Sequence, residues 1–198
     1  MKFYRAMRFL FYWPVRLLFR IRVIHPERVP AGGGYIVACN HITLADPVAL
    51  AMVIKKPVHY MAKAELFEVP VLKQLVTLLG AIPVNRQKPE LSTIKRCIQV
   101  LKQGGVLGMF PQGTRVREKD AAGARSGVAM IAAKAKAGIL PVFITAKNNR
   151  LRPLRRTTVV VGEFIPFDGM DFSNGSQSYA DISGMVIETI LRLSGEAR

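Results

Sequence analysis

From Tyr35 onward the chain repeats one arrangement, a short apolar run of strand length followed by a longer segment with helical spacing. The runs are YIVAC, PVHYMAK, AIPV, VLGMFP, ILPVFIT and TTVVVGEFIPF. Among and after them come PVALAMVI, PVLKQLVTLLG, LSTIKRCIQVLKQGG, SGVAMIAAKAKAG and YADISGMVIETILRL. This alternation predicts an α/β fold, a single domain with a mostly parallel or mixed sheet flanked by helices. Loops leaving the carboxyl ends of the strands are where such a fold carries its function. At 198 residues, 50% of them hydrophobic, the chain is large enough for one well-buried core.

Ahead of this domain stands MKFYRAMRFLFYWPVRLLFRIR, with six basic residues and no acid. At 100° per residue, Phe3, Met7, Leu10, Trp13, Leu17, Leu18 and Ile21 gather on one side. Lys2, Arg5, Arg8, Arg16 and Arg20 gather on the other. Residues 1–22 are therefore expected to form a basic amphipathic helix, and residues 23–198 the α/β domain. Pro14 removes a backbone donor in the middle of the helix. A spanning helix needs roughly 20 predominantly apolar residues, and here charges recur every few positions. A helix lying in a membrane interface fits the pattern; one packed on the protein's own core with snorkelling arginines is the alternative. A cleaved signal peptide does not fit, because Arg16, Arg20 and Arg22 follow the apolar stretch with no small-residue cleavage site.

The formal charge of +16 calls for an anionic partner, whether nucleic acid, acidic protein, lipid surface or phosphorylated substrate. From Ala121 to Gly162 there are eight Lys or Arg and no acid, including KNNRLRPLRR. The two cysteines, Cys39 and Cys97, lack metal-ligand spacing and disulfide density, so both read as buried thiols in a reducing compartment. His25 and His59 form no ligand cluster with His41, and no metal is expected.

Three loops after candidate strands hold chemically pointed residues. In NHITLADP, His41 precedes Asp46 by five positions. If the loop curls, the carboxylate fixes one imidazole nitrogen and leaves the other as a base. Asp46 before Pro47 also has the form of a helix N-cap, worth about 1 kcal/mol. GAIPVNR ends in Arg86, whose planar guanidinium suits phosphate or carboxylate; an ordinary surface arginine is the plainer reading. In FPQGTR, Gly113 permits close backbone approach, while Thr114 and Arg115 supply donors for anionic oxygens.

Taken together, these blocks resemble the motif set of the glycerolipid (lysophospholipid) acyltransferase family, of the kind that acylate lysophosphatidic acid. NHITLADP is similar to the family's His, four residues, Asp block; GAIPVNR to its Gly-to-Arg block; FPQGTR to its Phe-Pro-Glu-Gly-Thr-Arg block; and LPVFI to its hydrophobic proline-containing block. MAKAELF resembles the segment between the first two blocks. Order and approximate spacing agree from Tyr35 to Thr145. Gln112 departs from the usual glutamate, keeping an acceptor oxygen but losing the charge.

The resemblance implies transfer of a fatty acyl group from acyl-coenzyme A or acyl carrier protein to lysophosphatidic acid. The product would be phosphatidic acid, in phospholipid biosynthesis. His41, oriented by Asp46, would be the base, and Lys63 of MAKAELF would stabilise the developing oxyanion. Arg86, Gln112, Gly113, Thr114 and Arg115 would hold the acceptor, and no bound cofactor is implied. The expected location is monotopic, on an anionic membrane surface at the cytoplasmic face. Another lysolipid or glycerol 3-phosphate is an alternative acceptor. A basic anionic-surface or nucleic-acid-binding domain is the alternative of a different class, although no nucleic-acid motif occurs.

Overall fold

The computed structural model describes residues 2–43, 45–78, 80–84, 91–112, 126–149 and 151–197. Seven strands form one sheet: β1 (Ile21–Ile24), β2 (Tyr35–Cys39), β3 (Val58–Lys63), β4 (Ile82–Val84), β5 (Val106–Met109), β6 (Ile139–Ala146) and β7 (Thr157–Val161). Their spatial order is β1-β7-β6-β2-β5-β3-β4. All neighbours are parallel except β6 and β7, so β1 and β7 run against the other five strands. The mixed α/β architecture expected from the sequence is the one observed.

Alternation along β2 shows how the sheet divides two cores. Ile36 and Ala38 enter one, with Cys97 and Leu101 of α4 (Leu91–Lys102), Val128 and Ala132 of α5 (Gly127–Ala135), and Val186 and Ile190 of α6 (Ser176–Arg192). Tyr35, Val37 and Cys39 enter the other, with Ala49, Leu50 and Val53 of α2 (Asp46–Val53). Every residue of β2 is buried, in keeping with the absence of any charged side chain from YIVAC. α3 (Pro70–Leu78) lies between β3 and β4 in the chain.

The N-terminal helix differs from its sequence boundary. α1 spans Lys2–Leu18 and includes Pro14. Instead of continuing to Arg22, the chain turns at Phe19 and Arg20, and Ile21 and Arg22 open β1, paired with Thr157 and Thr158. Pairing with the edge of β7 overrides the helical spacing of IRVI, three of whose four residues are β-branched. α1 packs on the α2 side through Tyr12, Val15 and Phe19. Leu10, Trp13 and Leu17, from the expected apolar side, are exposed, as is Phe9 at 87%. No helix among the described residues is long and apolar enough to cross a membrane.

Candidate active site

His41 follows β2, Lys63 ends β3 and Phe110 follows β5, so all three lie at the carboxyl edge of the parallel strands. Asn40 anchors the first of these positions. Its side-chain amide donates to the Ile144 carbonyl at 2.8 Å, and its oxygen accepts from the Ile144 N–H at 2.7 Å. This buried residue, which the sequence reading missed, extends the β2–β6 ladder through a side chain and fixes where the next residue begins.

Asp46 is 0% exposed and accepts four hydrogen bonds. Main-chain N–H groups of Ile42 and Thr43 donate to Oδ2 at 2.7 and 2.9 Å, and the Thr43 hydroxyl donates to Oδ1 at 3.0 Å. His41 Nδ1 lies 2.7 Å from the same Oδ2. With the carboxylate acting as acceptor throughout, Nδ1 donates to it, and Nε2 is the ring nitrogen turned away from Asp46. The N-cap expectation is corrected here. Ala45 is the N-cap, Asp46 is the first helical residue, and its carboxylate folds back over the loop instead of capping the helix.

The imidazole is also held flat. Phe110 stacks on it with centroids 4.2 Å apart and planes at 22°, and Tyr60 stacks behind Phe110 at 6.1 Å. Tyr60 lies against Gly108, where a Cβ would collide with the tyrosine ring. A glycine in β5 therefore makes room for the stack, a signal available in VLGMFP but interpretable only with β3 alongside.

Gln112, two residues beyond Phe110, has a buried side-chain oxygen with no hydrogen-bond partner among the described residues. Such an atom costs about 1 to 3 kcal/mol unless a donor meets it. Lys63 is exposed at the end of β3 and is not among the partners that fix His41 and Asp46. Arg86, Gly113, Thr114 and Arg115 lie outside the described residues. Among the described residues, no group of His, Cys, Asp and Glu could hold a metal ion.

Cys39, adjacent to this site in sequence, is a poor nucleophile. Burial pushes its thiol well above the usual range, and the Asp46 carboxylate pushes it further. Among the described residues the arrangement is thus an imidazole oriented by a buried carboxylate at the open edge of an α/β sheet, beside a thiol held in its protonated form.

A histidine held by a buried carboxylate at the carboxyl ends of parallel strands is an arrangement found in α/β enzymes, and comparison gives the family. Residues 20–145 match the acyltransferase family model, and the chain belongs to that family. It is an acyltransferase, and the nucleic-acid-binding alternative is set aside. It is 31% identical over 157 residues to the 1-acyl-sn-glycerol-3-phosphate acyltransferase of Bacillus subtilis, covering 78% of this chain and 77% of that protein. It is 41% identical over 113 residues to the Streptococcus pneumoniae protein of the same name, covering 56% of this chain and 41% of that one. The Borreliella burgdorferi protein of that name is 30% identical over 132 residues, 66% of this chain and 53% of its own length. The crystal structure of the 1-acyl-sn-glycerophosphate (LPA) acyltransferase PlsC from Thermotoga maritima shares the fold. Its TM-score is 0.68 at 22% identity, over 90% of this chain and 72% of that chain.

Proposed function

We propose that the chain transfers a fatty acyl group from an acyl thioester to the free hydroxyl of lysophosphatidic acid, giving phosphatidic acid. The carrying observation is the 2.7 Å contact between His41 Nδ1 and Asp46 Oδ2, which leaves Nε2 as a base at the sheet edge. The names of the relatives supply the acceptor. Nε2 takes the hydroxyl proton as the oxygen attacks the thioester carbonyl. The tetrahedral oxyanion then collapses, expelling the thiol of coenzyme A or acyl carrier protein, which leaves with the proton returned by His41. No covalent acyl-enzyme forms, in keeping with the suppressed Cys39 thiol.

Lys63 is assigned to the oxyanion, and Arg86, Gly113, Thr114 and Arg115 to the acceptor phosphate. Gln112 is assigned to the acceptor as well, its unpaired oxygen meeting a hydroxyl donor. The exposed apolar side of α1 rests in the membrane interface, where the acceptor resides. The proposed location is accordingly monotopic, at the cytoplasmic face, with the exposed apolar side chains of α1 supporting the interfacial part of that reading.

An acceptor panel of lysophospholipids and glycerol 3-phosphate, run with both thioester donors and read by mass spectrometry, tests the assignment. Lysophosphatidic acid is expected to give phosphatidic acid, and His41→Ala to lower turnover at least about a hundredfold, the low end of base catalysis. Arg86→Lys keeps the charge but loses the planar fork, so it is expected to raise KM for the acceptor alone. Near-full activity of His41→Ala would refute the mechanism; exclusive use of another acceptor would refute the substrate.

A further inference from the structure

One rung of the sheet edge gathers cations without visible counterions. Ile21 pairs with Thr157, and Thr157 with Ala146, across the adjacent strands β1, β7 and β6. Arg20, Arg156 and Lys147 each stand one residue beyond that rung. Neighbouring strands are about 4.8 Å apart, so three basic residues leave the sheet within about 10 Å of one another. With Leu154 and Arg155 they line a cavity of about 350 Å³. Among the described residues, no carboxylate forms an ion pair with any of these four cations.

The cavity's mouth is apolar as well as basic. Leu154 is 71% exposed at a positive φ of 62°, a conformation costly for leucine. Its N–H donates to the Leu18 carbonyl, tying the loop to the end of α1. At that end of α1, Leu17 and Leu18 are exposed, one helical turn after the exposed Trp13. A soluble phosphate would be served by the arginines alone; a lipid presents both a phosphate and an apolar layer.

We propose that this cavity seats the phosphate of an anionic membrane phospholipid, with Leu154 and the exposed face of α1 entering the apolar layer around it. The inference rests on the interfacial placement of α1 proposed above. Arg20, Lys147, Arg155 and Arg156 surround the headgroup oxygens, and like charges held together on the rung are relieved by the bound anion. The site lies at the same sheet edge as His41, so a lipid bound there holds the open edge against the bilayer.

The test is partition of the full chain onto phosphatidylcholine vesicles with and without phosphatidylglycerol. Arg155→Gln/Arg156→Gln is compared with Lys102→Gln/Lys134→Gln, which removes equal charge from exposed positions on α4 and α5 near the opposite sheet edge. The first variant is expected to lose about thirtyfold in affinity for the anionic vesicles and nothing for neutral ones. The second is expected to change less than about twofold. Equal losses in both variants would overturn the site in favour of diffuse surface charge. Calorimetric titration with coenzyme A, without vesicles, provides the other arm. If the arginine variant loses coenzyme A binding while keeping vesicle affinity, the cavity serves a soluble phosphate and the proposal fails. Wild-type protein that ignores all vesicles would sink the interfacial reading itself; wild-type protein that binds both vesicle types equally would sink only the headgroup site.

Discussion

The Phe110 ring lies on the His41 imidazole, 4.2 Å between centroids, so a residue on the loop after β5 sets the plane of a ring carried by the loop after β2. Asp46 fixes which His41 nitrogen is protonated; Phe110 restricts the direction in which the other points. The two constraints act on different degrees of freedom of one side chain.

Phe110→Leu keeps the site apolar but removes the stack. An aromatic pair contributes about 0.5 to 1.5 kcal/mol beyond its buried area. Turnover is expected to fall about tenfold with acceptor KM nearly unchanged. Steady-state kinetics at saturating thioester measure it; a change in KM alone would assign Phe110 to substrate contact.

Asp46→Asn replaces an acceptor of four hydrogen bonds with a group that must point donors at donors or turn away. Loss of charge-assisted bonds is expected to lower stability by about 2 kcal/mol. Turnover should drop by about a hundredfold or more, because the imidazole no longer has its tautomer enforced. Denaturant unfolding and turnover on the same sample separate the effects: lowered stability with intact turnover would leave Asp46 a purely structural residue.

Asn40→Ala strands both polar groups of Ile144 in the core. The expected cost is about 3 kcal/mol, from two groups left without partners. Amide hydrogen exchange gives a sharper readout than global unfolding, since the Ile144 N–H should lose protection while the far end of β6 keeps it.

The thiols predict an alkaline effect. Burial raises Cys97 from 9.0 to about 11, and it drives Cys39 up as well. The folded thiols hold their protons where unfolded ones release them, so their contribution to stability is present below pH 9 and lost as pH rises toward 11. Denaturant midpoints across that interval should fall, and less so for Cys97→Ala. Cys39→Ala should keep turnover within about twofold; a large loss would implicate the thiol in acyl transfer.

What could be read from the sequence was whatever local pattern fixes. YIVAC is fully buried from Tyr35 to Cys39, and its composition announced a strand with cover on both faces. IRVI was hidden because its spacing continues the helical stripe of α1, and only the edge of β7, more than a hundred residues later, turns it into β1. The pairing of His41 with Asp46 was legible as one of two options; the choice depended on Thr43, whose main-chain N–H and hydroxyl draw the carboxylate back over the loop. Asn40 could be flagged as polar at the end of an apolar run, yet its partner Ile144 is 104 residues away. Tyr60, Phe110 and Gly108 look unremarkable until β3 and β5 are adjacent.

The reversal at β7 determines which way the molecule faces. Because β7 runs back against β6 and β1 runs with β7, the start of β1 lies at the same rim of the sheet as the end of β6, with β7 between them. A parallel β7 would carry the same residues to the opposite rim, about 17 Å away across a five-residue strand. α1 would then emerge on the far side of the domain from His41, and whatever surface α1 rests on would meet the back of the protein. One antiparallel ladder thus acts as a compass, bringing the exposed aromatic and leucine side chains of α1 and the imidazole of His41 to the same rim through strand polarity alone.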